Sequence, residues 1–124
     1  MAGKDRAAGL LGYEVVSVSP GRAVVTMVVT EAMVNGLDVC HGGLIFTLAD
    51  SAMAHASNSH GAVAFAVAAS IDFVSPGRLG ARLTATATEQ FRRGRTGLYD
   101  VAVTDADGAL VARFHGRTQA PSTR

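Results

Sequence analysis

The stretch from Gly42 to Gly61, GGLIFTLADSAMAHASNSHG, constrains the fold more than any other part of the sequence. It contains no Pro, it is rich in helix-favouring Ala and Leu, and the Gly at its far end suits a helix C-cap. The pattern predicts one helix over Gly43–His60, roughly 27 Å long at a rise of about 1.5 Å per residue. Because the first half of this segment is apolar nearly all round, it is typical of a buried helix.

Val-rich and alternating segments on both sides of this helix predict strands. A short helical turn is expected around Ala7–Leu11, and a loop is expected over Glu31–Cys40. The predicted strands are Tyr13–Ser19, Arg22–Thr30, Val63–Val74, Arg82–Arg92, Leu98–Thr104 and Ala109–Thr118. Two strands, one long helix and four strands in hairpin succession describe an α+β fold in which an antiparallel sheet wraps around the helix. The 124 residues fit a single domain spanning positions 1–124.

Composition excludes several classes of function. With 48% hydrophobic and 17% charged residues the chain is not disordered, but 6% aromatics and no Trp leave a core of small side chains. Such a domain often completes its burial against a second copy of itself. The net charge of +1 gives no general basic surface for nucleic acid. Because there is neither a membrane-length apolar run nor a signal peptide, we expect a cytoplasmic protein with no membrane partner.

Asp50 is the sharpest functional signal. Within LIFTLADSAMAHA the only ionisable residues are Asp50 and His55, and Asp50 lies in mid-helix among apolar neighbours. Burying an unpaired carboxylate is costly, so either a structural partner or a selected reaction must offset the cost. We favour a reaction. Burial would raise the pKa of this carboxyl and hydrogen bonds to its charged form would lower it, and the sequence leaves open which effect is larger.

The run His41-Gly42-Gly43 at the start of the predicted helix is the second signal. Free backbone N–H groups and the positive end of the helix dipole make a site for a developing oxyanion, although the glycines could also merely shape the junction. Gly42 and Asp50 are eight residues apart, which is roughly 12 Å along a helix. One chain therefore cannot aim both groups at the same carbonyl carbon. Two antiparallel helices related by a two-fold axis could, so the functional hypothesis requires a symmetric dimer with shared sites.

Other polar residues carry weaker signals. Asn35 could position a water or a carboxylate, or could be a turn residue in Asn35-Gly36. A structural role is favoured for His41, and a buried, inert thiol is favoured for Cys40 over a nucleophile paired with its neighbour. The remaining histidines lack paired-ligand spacing and Cys40 is the only cysteine, so no metal site is expected. The cluster Arg92, Arg93 and Arg95 could bind phosphate or could be a solvated hairpin end.

The run VNGLDVCHGGLIFTLADSAMAHASNSHG, followed by SIDFVSPGRLGARLTATA, GRTGLYDV and VARFHG, resembles the phenylacetate-pathway thioesterases of the hotdog-fold family, usually called PaaI. The similarity spans roughly positions 12–116, and the HGG…AD core with its upstream Asn and downstream IDF-x-x-PG is specific to this branch. The resemblance implies a hotdog fold and the hydrolysis of acyl-CoA thioesters without metal or cofactor. It further implies substrates such as phenylacetyl-CoA and its ring-hydroxylated relatives, and a homotetramer made from two hotdog dimers.

The resemblance also assigns roles to individual residues. It implies that Asp50 attacks the thioester carbonyl or activates water, and that the N–H of Gly42 from the other subunit polarises the thioester oxygen. Asn35 matches a residue that assists at the site, and His41 matches one that shapes it.

Further residues of the resemblance concern substrate binding. Ser51 stands where Thr is common and keeps the hydroxyl, whereas Met53 stands where an aromatic is common and alters the acyl pocket. Arg95 and Gly97, in the hairpin around positions 92–97, are expected to meet the nucleotide end of CoA.

Two alternatives to arylacetyl-CoA hydrolysis stay open. The first is a thioesterase of the same chemistry that acts on other aryl or fatty acyl-CoA esters. The second is a non-catalytic, acyl-CoA-binding regulatory domain of the same fold, although that function would leave the apolar surroundings of Asp50 unexplained. A hydratase of this fold is disfavoured, because nothing matches a catalytic His facing an acidic partner on the helix.

Overall fold

The computed structural model describes residues 5–122 and has the predicted α+β architecture. Its helices are α1 (Arg6–Leu11) and α2 (Gly42–Asn58), with a short 3₁₀ helix at Glu31–Met33. Its strands are β1 (Glu14–Ser19), β2 (Arg22–Val28), β3 (Phe65–Phe73), β4 (Arg82–Arg93), β5 (Thr96–Thr104) and β6 (Leu110–Gln119). The predicted loop over positions 31–40 thus contains a turn of 3₁₀ helix. Neither described helix is long and apolar enough to cross a membrane.

The long helix begins one residue earlier than predicted and ends two residues earlier. Ser59 is its C-cap, and the Ser59 hydroxyl donates to the carbonyl oxygen of Ala56 at 2.6 Å. The hydroxyl oxygen of Ser59 also accepts the backbone N–H of Gly21 at 2.9 Å, which ties the helix end to the turn between β1 and β2. The chain then turns at Gly61, whose φ of +85° suits glycine. The helix therefore stops at Asn58 rather than at His60.

The strand β3 begins at Phe65, two residues later than predicted. The side chain of Asn58, at the end of α2, accepts the backbone N–H of Ala64 at 3.0 Å through Oδ1. This contact holds the residues before Phe65 against the helix end, so that they do not join the sheet. The other strand ends either match the predicted ones or differ from them by one or two residues.

All six strands lie in one antiparallel sheet with the order β1-β2-β4-β5-β6-β3. The register places one row of apolar side chains across the face that packs against α2. This row consists of Ala23, Ala87, Val101, Phe114 and Ile71, which face one another on neighbouring strands. The first four are fully buried, whereas Ile71 on the edge strand β3 is only partly buried. The core therefore lies between α2 and the middle of the sheet.

Burial along α2 differs from the expectation that its first half would be the buried part. Leu48, Met53 and Ala56 are fully buried, but Leu44 and Phe46 near the beginning of the helix are only partly buried. The sheet of this single chain covers one side of the first half and leaves the other side exposed. A helix that is apolar all round thus keeps an uncovered apolar side in one chain.

The edge strand β3 is exposed along almost its whole length. Val67 is 49% exposed and Phe73 52% exposed, and β6 is its only partner strand in the described sheet. An unpaired edge with exposed apolar side chains is a surface that proteins usually cover.

Candidate active site

Asp50 lies near the middle of α2 and lines a cavity of about 600 Å³. Most of the wall is apolar, as is typical of small-molecule sites. The lining residues are Asp5, Asp50, Met53, Ala54, Asn58, Val63, Ala64, Phe65, Ala66 and Thr118. They come from α2, from the beginning of β3 and the two residues before it, from the end of β6 and from the residue before α1. The cavity thus brings one face of the helix together with three distant parts of the chain.

The carboxylate of Asp50 is partly desolvated. Burial raises the pKa of this carboxyl above its ordinary value. Within residues 5–122 no hydrogen bond reaches the carboxylate, so no partner in the described chain offsets the cost of its burial. The sequence left open whether burial or hydrogen bonding dominates, and burial does. A carboxylate in such surroundings is suited to act as a base or a nucleophile.

The other sequence-predicted group, Gly42, is the first residue of α2, directly after the N-cap residue His41. The backbone N–H groups of Gly42 and Gly43 donate to no described residue, as is usual in the first turn of a helix. A Cβ atom on Gly42 would lie 2.8 Å from Cζ of Phe73 at the end of β3. Glycine at this position therefore lets the IDF segment pack directly against the helix start.

Asp50 and Gly42 do not meet within one chain. Gly42 lines a separate cavity of about 400 Å³, which lies between α2 and the segment that follows β3. The two cavities have no lining residue in common. The arrangement agrees with the eight-residue spacing, which already separates the two groups along the helix.

Asn35 builds the loop that leads into α2. Its Oδ1 accepts the backbone N–H of Leu37 at 2.8 Å and that of Val39 at 3.3 Å, and its own N–H donates to the carbonyl of Val39 at 2.9 Å. These contacts correspond to the turn function that the sequence allowed for Asn35. His41 is exposed and its side chain makes no capping hydrogen bond. Neither residue lines the cavity that contains Asp50.

The two predicted residues that follow Asp50 on α2 have different positions. Met53 is fully buried, packs against Gly116 on β6 and lines the Asp50 cavity. Ser51 is buried outside this lining, and its hydroxyl has no hydrogen-bond partner among residues 5–122. Met53 thus lies in the wall of the Asp50 cavity, whereas Ser51 lies on the core side of the helix.

Arg95 and Gly97 line a third, small cavity of about 40 Å³ at the hairpin between β4 and β5. Arg95 is exposed and Gly97 is buried. A Cβ atom on Gly97 would lie 2.7 Å from Cε1 of Tyr99, which explains the glycine. This cavity adjoins the Asp50 cavity, because Ala64 and Thr118 line both.

Sequence reasoning missed several residues of the Asp50 cavity. Phe65 and Thr118 line it from β3 and β6, where single residues in alternating strands give no signal of their own. Asp5 also lines it, and its carboxylate caps α1 by accepting the N–H of Ala8 at 3.1 Å and the hydroxyl of Tyr13 at 3.2 Å. An Asp followed by a short Ala-rich run could have indicated the helix cap, but not its position beside the cavity.

Within the described part of the chain, no group of three or more His, Cys, Asp or Glu side chains could hold a metal ion. His55 is buried, and burial lowers the pKa of its imidazole. Cys40 is buried, and burial raises the pKa of its thiol, whereas the adjacent His41 is exposed. These positions give no paired nucleophile and base.

Comparison with known proteins adds to this geometry. The family model described as the thioesterase superfamily matches residues 37–112. The chain is 46% identical over 114 residues to the acyl-coenzyme A thioesterase PaaI of Escherichia coli strain K12, covering 92% of this chain and 81% of the relative.

Solved structures agree with the sequence comparison. The structure of the E. coli PaaI protein from the phenylacetic acid degradation operon matches with a TM-score of 0.96 and 43% identity, covering 98% of this chain and 88% of that one. A crystal structure of a Streptococcus mutans protein bound to acetyl-CoA matches with a TM-score of 0.85 and 29% identity, covering 90% of each chain.

Proposed function

The chain belongs to the thioesterase superfamily, and on that premise we propose that it hydrolyses arylacetyl-CoA thioesters such as phenylacetyl-CoA and its ring-hydroxylated derivatives. The predicted hotdog fold and the predicted class, an acyl-CoA thioester hydrolase similar to PaaI, are confirmed. The observation that carries the proposed mechanism is the partly desolvated carboxylate of Asp50 in the wall of a largely apolar cavity. The similarity to a PaaI protein from a phenylacetic acid degradation operon supports the arylacetyl substrate.

Two routes use the same carboxylate. In the first, an oxygen of Asp50 attacks the thioester carbonyl carbon, the C–S bond breaks, CoA leaves as a thiolate, and water then hydrolyses the acyl-aspartyl anhydride. In the second, Asp50 takes a proton from water, the resulting hydroxide attacks the carbonyl carbon, and the proton passes to the departing sulfur. In both routes negative charge develops on the carbonyl oxygen, where the N–H of Gly42 and the positive end of a helix stabilise it.

In the proposed enzyme that Gly42 belongs to a second copy of the chain. Support comes from the separation of Asp50 and Gly42 into two cavities, and from the exposed, unpaired edge of β3. A two-fold axis beside β3 would extend the sheet across two chains and bring the uncovered side of each α2 against the other. The functional unit is then a homodimer with two shared sites, and two such dimers form the homotetramer that the resemblance implies.

The remaining site residues have roles in substrate binding in this proposal. Met53 forms part of the acyl pocket, and Arg95 and Gly97 lie where the nucleotide end of CoA would emerge. The small cavity at Arg95 adjoins the Asp50 cavity through two common lining residues, so that a thioester at Asp50 leaves its CoA portion near an exposed guanidinium. Asn35 holds the loop before α2, and His41 shapes the helix start.

The first experiment measures thiol release from phenylacetyl-, hydroxyphenylacetyl-, benzoyl- and straight-chain acyl-CoA esters. We expect the highest kcat/KM for the arylacetyl esters. Asp50→Asn should lower kcat by roughly 10²- to 10⁴-fold while leaving substrate binding nearly unchanged. Asp107→Asn, which alters an exposed carboxylate in the turn between β5 and β6, is the matched control and should behave as wild type.

Each contrary result has a distinct meaning. A flat profile, or one that favours fatty acyl esters, would retain the thioesterase and refute the arylacetyl preference. Full turnover by the Asp50→Asn variant would refute the role of Asp50. Saturable binding by the wild-type protein without turnover of any ester would favour the regulatory alternative. A monomeric mass in solution together with full activity would refute the shared site.

A further inference from the structure

The loop that leads into α2, residues 34–40, exposes a leucine although hydrogen bonds hold the surrounding loop residues in place. Leu37 is 81% exposed, although the residues around it are bonded to one another. Its N–H donates to Asn35 Oδ1, Val34 and Cys40 pair as an isolated β-bridge, and the carbonyl of Asp38 accepts the N–H of Leu79 at 3.1 Å. The described chain thus positions Leu37 firmly without burying it. A single exposed leucine is common. A leucine whose neighbouring residues are held by this many hydrogen bonds, however, points to a role in binding.

The proposed two-fold arrangement determines what lies beside this loop. If Gly42 of one α2 faces Asp50 of its antiparallel partner, the axis passes the helix midway, at Phe46. Because the two helices run antiparallel, the residues of the partner's α2 that follow Asp50 run past the N-terminus of α2, which is the end from which the loop over residues 34–40 extends. Those residues include Met53, Ala54 and Asn58, which line the Asp50 cavity. The loop of one subunit therefore approaches the acyl cavity of the other.

We propose that Leu37 of each subunit forms part of the acyl pocket of the partner subunit and helps to select large apolar acyl groups. This inference rests on the proposed function, because it requires the shared site. The Asp50 cavity of a single chain is mostly apolar, but its wall comes from one subunit only. Small-molecule sites bury most of the ligand surface, so we expect the partner subunit to supply the rest of the wall. A leucine that its own chain already holds in place can cover an aryl group at little further cost in conformational entropy.

The first test is a change in substrate preference. Leu37→Ala should lower kcat/KM for phenylacetyl-CoA by about tenfold, the lower end of what loss of an apolar pocket contact costs. It should change kcat/KM for acetyl-CoA less than twofold, because a methyl group is too small to reach the added wall. Leu98→Ala is the matched control, since Leu98 lies on the sheet face away from α2 and is 41% exposed.

The second test shows whether Leu37 acts across the subunit interface. Asp50→Asn and Leu37→Ala chains with different tags are produced together, and the mixed assemblies are purified through both tags. In a mixed dimer, one site then combines the intact Asp50 of the Leu37→Ala chain with the intact Leu37 of the Asp50→Asn chain. Because the proposed tetramer can also contain a Leu37→Ala homodimer, we expect the mixed assemblies to shift from the Leu37→Ala preference toward the wild-type preference for phenylacetyl-CoA over acetyl-CoA, a shift that neither parent provides.

A chain that carries both substitutions, co-produced with the Leu37→Ala chain, is the control for mixing. It offers no intact Leu37, so no wild-type preference should appear. If mixed Asp50→Asn and Leu37→Ala dimers keep the altered preference of Leu37→Ala, Leu37 acts within its own subunit and the proposal is wrong. If Leu37→Ala has wild-type preference while Asp50→Asn is inactive, this inference fails and the proposed function stands. If the wild-type protein hydrolyses none of the esters, the proposed function itself fails.

Discussion

The effect of the Asp50→Asn substitution on stability shows whether the Asp50 carboxylate has a functional or a structural role. A carboxylate that is held by a structural partner stabilises the fold, and its loss costs free energy. Asp50 is instead partly buried without a hydrogen-bond partner among residues 5–122, and burial raises the pKa of its carboxyl. The folded protein thus binds this proton more tightly than the unfolded chain does. We therefore expect Asp50→Asn to be more stable than wild type at neutral pH.

The sign of the pH dependence follows from the same shift. As pH rises from the ordinary carboxyl pKa through the raised pKa of the folded state, the wild-type protein loses stability, because its folded form must give up a proton that it holds. Asparagine does not titrate, so the advantage of the variant is absent at low pH and complete above the raised pKa.

The size of the effect is set by two opposing contributions. Burying a polar group that has no hydrogen-bond partner costs roughly 1–3 kcal/mol in proteins, and the partial exposure of Asp50 places its cost at the lower end of that range. In the proposed dimer, the positive end of the partner's α2 opposes burial by about 0.3–1 kcal/mol. We expect a net stabilisation on the order of 1 kcal/mol, which corresponds to a rise in Tm of roughly 4 °C.

The assay is urea-induced unfolding of wild type, Asp50→Asn and the control Asp107→Asn at a series of pH values. The difference in the free energy of unfolding between Asp50→Asn and wild type should increase as pH rises. The difference between the control and wild type should not change with pH. If Asp50→Asn proves less stable than wild type at pH 7, the carboxylate has a structural partner and its apolar surroundings are no evidence for chemistry.

Three further substitutions or reactions test other parts of the structure. Asn35→Ala removes the acceptor of two backbone N–H groups, so it should lower the free energy of unfolding by about 1–3 kcal/mol and raise KM, as measured by urea unfolding and steady-state kinetics. Gly116→Ala places a Cβ atom against the sulfur of Met53 and should cost about 1–3 kcal/mol; an unchanged Tm would contradict the close packing. Cys40 should react with iodoacetamide far more slowly in the folded than in the unfolded protein, since burial raises the pKa of its thiol; equal rates by mass spectrometry would show that it is accessible.

The architecture could be predicted from the sequence because its signals are local. Each signal indicates the backbone conformation of the same residues that form it, as in the Ala- and Leu-rich segment, the Val-rich strands and the Gly or Pro turns. The helix end was misplaced because it depends on Ser59, which bonds to Gly21, a residue 38 positions away. A long-range hydrogen bond of this kind leaves no periodic pattern.

The candidate site was predictable only in part, for the same reason. Asp50 was identified because a lone carboxylate in an apolar helix is costly wherever the helix packs. Phe65 and Thr118 reach the same cavity because β3 and β6 pair in one register, with Ala66 opposite Thr118. Local sequence patterns predict where strands lie but not the register in which they pair. Residues that reach the cavity only because of that register could therefore not be predicted.

In the proposed mechanism Asp50 and Gly42 need different surroundings, and one helix provides both only because the two residues lie far apart along it. The N-terminus of α2 stabilises negative charge, which is what a developing oxyanion requires. The same field would lower the pKa of a carboxylate placed there and make it a weaker base. Eight residues along the helix, Asp50 lies in apolar surroundings that raise its pKa instead. In the proposed dimer, two-fold symmetry then reunites the two environments at one carbonyl carbon, so each site is incomplete without the second copy.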